Sequence, residues 1–153
     1  MKKRLFVIAG GVAVLLILAA AGMIAWRIHL LQGMNPEGQY FDSNGVRIHY
    51  NVAGAGIPVV LVHGMGVNGN VNFGPVGIIS TLAKQYRVVT LDLRGHGRSD
   101  KPHDPGQYGV QLCEDVIRLM DHLKIEKAHV LGYSMGGFIV LKLASQHPDR
   151  LLS

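Results

Sequence analysis

One cysteine, Cys113, stands in 153 residues, so no disulfide can close within the chain and no Cys-x-x-Cys pair offers a redox or metal site. Its apolar, helix-patterned surroundings read as those of a buried thiol. Eight histidines are present, none in H-E-x-x-H or any other ligand spacing, so the sequence calls for no metal and no cofactor. Acidic residues are missing before position 37. Setting aside Lys2, Lys3, Arg4 and Arg27 leaves 11 basic against 10 acidic residues, so the formal +5 falls to +1 and a nucleic-acid partner is not indicated. No internal repeat or low-complexity tract interrupts the chain.

What the first residues do contain is a long uncharged run. Residues 1–4 form a basic tail, and 5–26, from Leu5 to Trp26, are long enough to cross a hydrocarbon core as one transmembrane helix. The run continues past Ala19-Ala20-Ala21, which resembles a signal cleavage site, to Trp26, which suits an interface anchor. Basic residues before the span place the N-terminus in the cytoplasm and the remainder outside, membrane-anchored or, if the segment is cleaved, secreted. Residues 27–38 are the linker, and 39–153 the domain.

In that domain "QYFD" and "VRIHYNVA" flank Asn44-Gly45, a hairpin turn signal. "IPVVLVHG" is a continuous apolar run that suits a strand covered on both faces. After a glycine- and asparagine-rich loop, Ile78, Ile79, Leu82, Ala83 and Tyr86 recur at helical spacing, and "RVVTLD" reads as the next strand. A helix follows with Val110, Cys113, Val116, Ile117, Met120 and Leu123 on one face, then the strand "KAHVLGYS", then a nearly all-apolar helix ended by His147-Pro148. Strands and helices in alternation predict an α/β domain with a mainly parallel sheet and flanking helices.

Three loops follow strands, where open α/β sheets bind ligands. In the first, Gly64-x-Gly66-x-x-Gly69 has the form of a dinucleotide fingerprint, and Asp92 ends the next strand where a ribose-binding acid would stand. Against that reading, "NVNFGP" separates the glycines from the expected helix. The other reading is an oxyanion loop, in which glycines let the Met65 amide face a cleft while His63 holds the loop by hydrogen bonds. In the second loop, "RGHGRSD", His96 and the two arginines read as parts of a tight turn rather than a binding patch. The third is Gly132-Tyr133-Ser134-Met135-Gly136. Between a strand and a helix this spacing suits a sharp elbow that needs small residues at 132 and 136, lifts the Ser134 hydroxyl and leaves the Met135 amide at a helix N-terminus. A serine at a helix start can also be an ordinary N-cap.

The hairpin, "VVLVHGMG", "VVTLDLRGHGRSDKP", "AHVLGYSMGG" and "ASQHPDRL", in that order over residues 39–153, strongly resemble the serine-dependent branch of the α/β-hydrolase fold superfamily. The resemblance implies Ser134 as nucleophile, the amides of Met65 and Met135 as the oxyanion hole, and an ester or related acyl substrate, carbon–carbon substrates included, cleaved through an acyl-enzyme. It also implies an acidic residue and a histidine from loops that follow the nucleophile helix. The sequence stops at "RLLS", where the family's next strand would start, so it reads as an N-terminal half, inactive alone, with an uncovered apolar sheet edge. A non-catalytic binding member, or a half-domain completed by another chain, is the alternative.

Overall fold

The computed structural model describes residues 17–24 and 38–153. The chain divides into two units, 1–34 and 35–153, each taken by itself. In the first, residues 17–24 are helical and exposed, and the remainder of the expected 5–26 span lies outside the described residues. Among the described residues no helix is long and apolar enough to cross a membrane.

The second unit opens with β1 (Gln39–Asp42) and β2 (Arg47–Ala53), joined through Ser43-Asn44-Gly45. Asn44 and Gly45 both take positive φ, 54° and 82°, the twist a tight hairpin requires, and the strands pair antiparallel with Phe41 opposite Ile48. Next come β3 (Ile57–Val62), two short helices α1 (Gly69–Phe73) and α2 (Ile78–Leu82), and β4 (Tyr86–Leu91). The chain then forms α3 (Val110–His122), β5 (His129–Gly132) and α4 (Met135–Gln146).

The spatial order is β1-β2-β4-β3-β5, and the sheet is mixed rather than mainly parallel. β3 runs parallel to both β4 and β5, but the hairpin is antiparallel within itself and lies antiparallel on β4. Because β3 connects to β4 on one side and is flanked by β5 on the other, the carboxyl ends of β3 and β5 border a crevice where the strand order reverses.

The unbroken apolar run of β3 is explained by what covers it. Val60 and Val62 join Val89, Leu91, Met120, Ile139 and Leu143 in the larger core, beneath α3 and α4. Val59 and Leu61 turn the other way, toward Phe73 and Val88. Each fully buried valine or leucine contributes roughly 1.5–3 kcal/mol, so two-sided burial makes β3 the best-anchored strand.

Two expectations need correction. The helical spacing that included Tyr86 stops at Leu82, and Tyr86 opens β4, because a residue four positions beyond a helix end can match its period by chance. The expected bare outer edge of β5 is partly covered. Leu152 N–H donates to the Ala128 carbonyl at 2.8 Å and Val130 N–H to the Ser153 carbonyl at 3.0 Å, a parallel pairing that leaves Leu131 43% exposed.

Candidate active site

β5 passes into α4 through one abrupt turn. Ser134 has φ 51° and ψ −115°, a backbone conformation that L side chains rarely adopt and that costs about 1–3 kcal/mol. Its hydroxyl does not cap the helix, although the residue stands at the N-cap position. The ordinary role of a serine at a helix start is therefore not the one played here. Ser134 is exposed, and among the described residues its hydroxyl has no hydrogen-bond partner.

The two flanking glycines are demanded by contact. A Cβ on Gly132 would collide with the Gly136 carbonyl, and one on Gly136 with the Val62 carbonyl of β3. Tyr133 N–H donates to that same Val62 carbonyl at 3.0 Å, which ties the elbow to the end of β3. The Gly136 and Gly137 amides fold back onto the carbonyls of Tyr133 and Ser134 at 2.9 and 2.8 Å. Among the described residues the Met135 amide donates to nothing.

The loop after β3 meets the elbow. A Cβ on Gly64 would lie 3.4 Å from that of Ser134 and 3.1 Å from the Tyr133 ring. Gly64 N–H donates to Asn72 Oδ1 at 2.9 Å, while the Met65 amide has no acceptor among the described residues and the Met65 side chain is 75% exposed. Gly66 follows at φ 76°, a conformation that favours glycine although the space around it is open. Asn72 is the functional residue that sequence reasoning missed. It lies in the stretch read as loop, and the only signal was Asn68 three residues before Val71, an N-cap spacing: Val71 N–H donates to Asn68 Oδ1 at 2.9 Å.

His63 is fully buried, and its roles are fixed by its partners. Leu93 N–H donates to Nε2 at 3.0 Å, so Nδ1 carries the proton and donates to the Gly64 carbonyl at 2.7 Å. Burial pushes its pKa below the ordinary value, the Gly64 carbonyl opposes that shift, and His96 adds to it. A buried, neutral ring with both nitrogens engaged holds the loop and offers no base to Ser134. His96 stands beside it, with ring centroids 5.2 Å apart, and hydrogen-bonds the Arg94 carbonyl at 3.2 Å.

The dinucleotide reading fails for a reason different from the one expected. The glycines do lead directly into a helix, α1, whose Gly69 packs against the end of β4. The N-terminus of that helix is already filled by Asp92, whose Oδ1 accepts from Gly69 N–H at 3.1 Å. Asp92 is 4% exposed and also accepts from His49 Nδ1 at 3.0 Å and from Arg98 N–H at 2.9 Å. Burial alone would raise its pKa, but these donors outweigh burial and lower it. A carboxylate so engaged is a structural node, not a ribose ligand.

Arg94 is likewise internal. Its guanidinium forms a bidentate pair with Asp115 of α3 at 2.6 Å on both arms, and both side chains are essentially inaccessible. Ser43 Oγ–H donates to the same Asp115 carboxylate at 2.5 Å.

Gly64, Met65, Gly132 and Ser134 line one cleft of about 520 Å³, whose walls include Val71, Phe73, Val76, Ile78 and Leu131. Its described lining holds no carboxylate, imidazole, thiol or cationic side chain. Such a cleft suits an uncharged acyl group presented to a hydroxyl, with two unengaged amides and the positive end of α4 beside it.

A family model described as the alpha/beta hydrolase fold matches residues 57–153. The chain belongs to this family. It is 42% identical over 119 residues to the dihydrolipoyllysine-residue acetyltransferase component of an acetoin cleaving system of Cupriavidus necator, covering 75% of this chain and 30% of that protein. It is 35% identical over 119 residues to 2-hydroxymuconate semialdehyde hydrolase of a Pseudomonas species, covering 76% and 42%. Among solved structures, the enol-lactonase from Burkholderia xenovorans superposes with a TM-score of 0.66 at 36% identity, over 74% of this chain and 44% of that one. The chain thus spans less than half the length of each of these proteins.

Proposed function

We propose that this chain carries the nucleophile half of a serine hydrolase acting on esters or related acyl compounds. In this reading the Ser134 Oγ attacks a carbonyl held in the cleft, its proton passing to a base, and the developing oxyanion accepts hydrogen bonds from the Met65 and Met135 amides. An acyl-enzyme forms with loss of the alcohol, and water then releases the acid. The observation that carries the proposal is the exposed, uncapping hydroxyl on a positive-φ serine at the start of α4. The similarity to a 2-hydroxymuconate semialdehyde hydrolase and an enol-lactonase supports a small carbonyl-bearing substrate.

The 153 residues taken alone are expected to be inactive. Among the described residues no base hydrogen-bonds Ser134, and a serine hydroxyl without one is a weak nucleophile near neutral pH. A fluorophosphonate probe is expected to leave the purified chain unlabelled, and to label Ser134 once the remainder of a hydrolase domain is supplied, with Ser134→Ala as control. Persistent silence in the completed protein would favour a non-catalytic binding member of the fold.

We also propose that the domain lies on the extracytoplasmic side of a membrane, held by residues 5–26. The support is the basic tail, the uncharged span and Trp26. Alkaline carbonate extraction should leave the protein in the membrane fraction. Release into the soluble fraction would contradict an uncleaved anchor.

A further inference from the structure

Away from the cleft, side chains from two helices converge on one point that the mechanism does not use. α3 contributes the adjacent residues Cys113 and Glu114, and the end of α4 contributes Gln146 and, at its C-cap, His147. His147 Nε2 lies 3.1 Å from Glu114 Oε1, and Cys113 Sγ lies 4.0 Å from Gln146 Oε1. The three ligating atoms of Cys113, Glu114 and His147 all fall within 4.8 Å of one another.

We propose that Cys113, Glu114 and His147 form a Zn²⁺ site that staples the C-terminal end of α4 to α3. The donor set carries the argument: a thiolate with an imidazole selects zinc over harder cations, and a single carboxylate completes a three-ligand face. Zinc bonds of about 2.0–2.3 Å place tetrahedral ligand atoms about 3.3–3.7 Å apart, so the Glu114–His147 separation is already close and Cys113 needs a side-chain adjustment of about 1 Å. The fourth position is open to water or to the Gln146 carbonyl oxygen. Glu114 and His147 are each 28% exposed while Cys113 is buried beneath them, which gives an ion a path in and a dry floor.

A coordinating cysteine binds as the thiolate, so binding releases the thiol proton to solvent as the S–Zn bond forms. α4 is the helix whose first turn presents Ser134, so an ion at its far end fixes the helix that carries the candidate nucleophile. The sequence concealed the site because residues 113–114 and 146–147 are separated by more than thirty positions and follow no ligand spacing.

The test uses the full chain titrated with Co²⁺ as a spectroscopic probe and then with Zn²⁺. The site predicts one equivalent bound, a near-ultraviolet thiolate-to-cobalt band, displacement by Zn²⁺, and a rise in thermal midpoint with Zn²⁺. Cys113→Ser should abolish the band, and His147→Gln or Glu114→Gln should weaken Zn²⁺ binding by about tenfold or more. The two glutamine variants alter partly exposed positions, so they remain informative if the buried serine substitution perturbs folding. A cobalt complex without the thiolate band overturns the site, as does binding that is unchanged in both glutamine variants or no binding at micromolar metal.

Discussion

At the residue scale, the decisive features are backbone conformations and hydrogen-bond assignments. His63 illustrates how a side chain that looks catalytic is excluded. Its Nε2 accepts and its Nδ1 donates, so protonation would break the contact with Leu93. Its folded pKa is lowered, which means the unfolded chain binds more protons than the folded one below about pH 6.5. Stability contributed by neutral His63 is therefore complete above that value and lost as pH falls toward the lowered folded pKa. Denaturant midpoints between about pH 7.5 and 5 should decline in the wild type and decline less steeply in His63→Gln. Equal slopes would remove His63 as the group responsible. Asp92, also lowered, adds a separate loss only in the acid range, below about pH 4.

At the element scale, the hairpin, the buried strands, α3 and α4 were legible because each has a local signature: Asn44-Gly45, continuous apolar runs, and helical periodicity closed by His147-Pro148. The elbow was legible for the same reason, since Gly132 and Gly136 answer to contacts made within five residues and with the neighbouring strand. α1 was not, because its five residues are too few to show a helical period and include a glycine and two asparagines, and it is held by Asn68 and Asp92 rather than by propensity. The antiparallel seating of β2 on β4 was also hidden, since nothing local in either strand states its partner. Asp115 is the clearest case of a long-range partner overriding local pattern. It sits within the buried residues of an amphipathic helix, and its companion Arg94 was read as part of a tight turn with no partner in a helix named for it. Asp115→Ala leaves an unpaired buried guanidinium, so chemical denaturation should show a loss of about 3–5 kcal/mol, and a loss below about 1 kcal/mol would contradict the internal pair.

At the scale of the whole molecule, α4 is buried on one side only. Phe138 is 77% and Leu141 69% exposed, three residues apart on one helix, and Tyr133 at 59% and Leu131 at 43% are exposed as well. Exposed apolar side chains of this size drive association. Sedimentation should show concentration-dependent self-association of the chain, reduced in a Phe138→Ser/Leu141→Ser variant. A wild type that stays monomeric at high concentration would mean this surface is covered. The same variant provides a soluble background on which finer measurements can be made.

On that background, equilibrium unfolding of the form that keeps Ser134, compared with its Ser134→Ala and Ser134→Gly variants, tests the elbow most directly. A positive-φ, uncapping serine predicts that Ser134→Ala changes stability by less than about 0.5 kcal/mol and that Ser134→Gly, which relieves the backbone, raises it by about 1 kcal/mol. An ordinary N-cap predicts the reverse for alanine, a loss of about 1 kcal/mol with only a few tenths lost in the glycine variant, and that result would contradict the account.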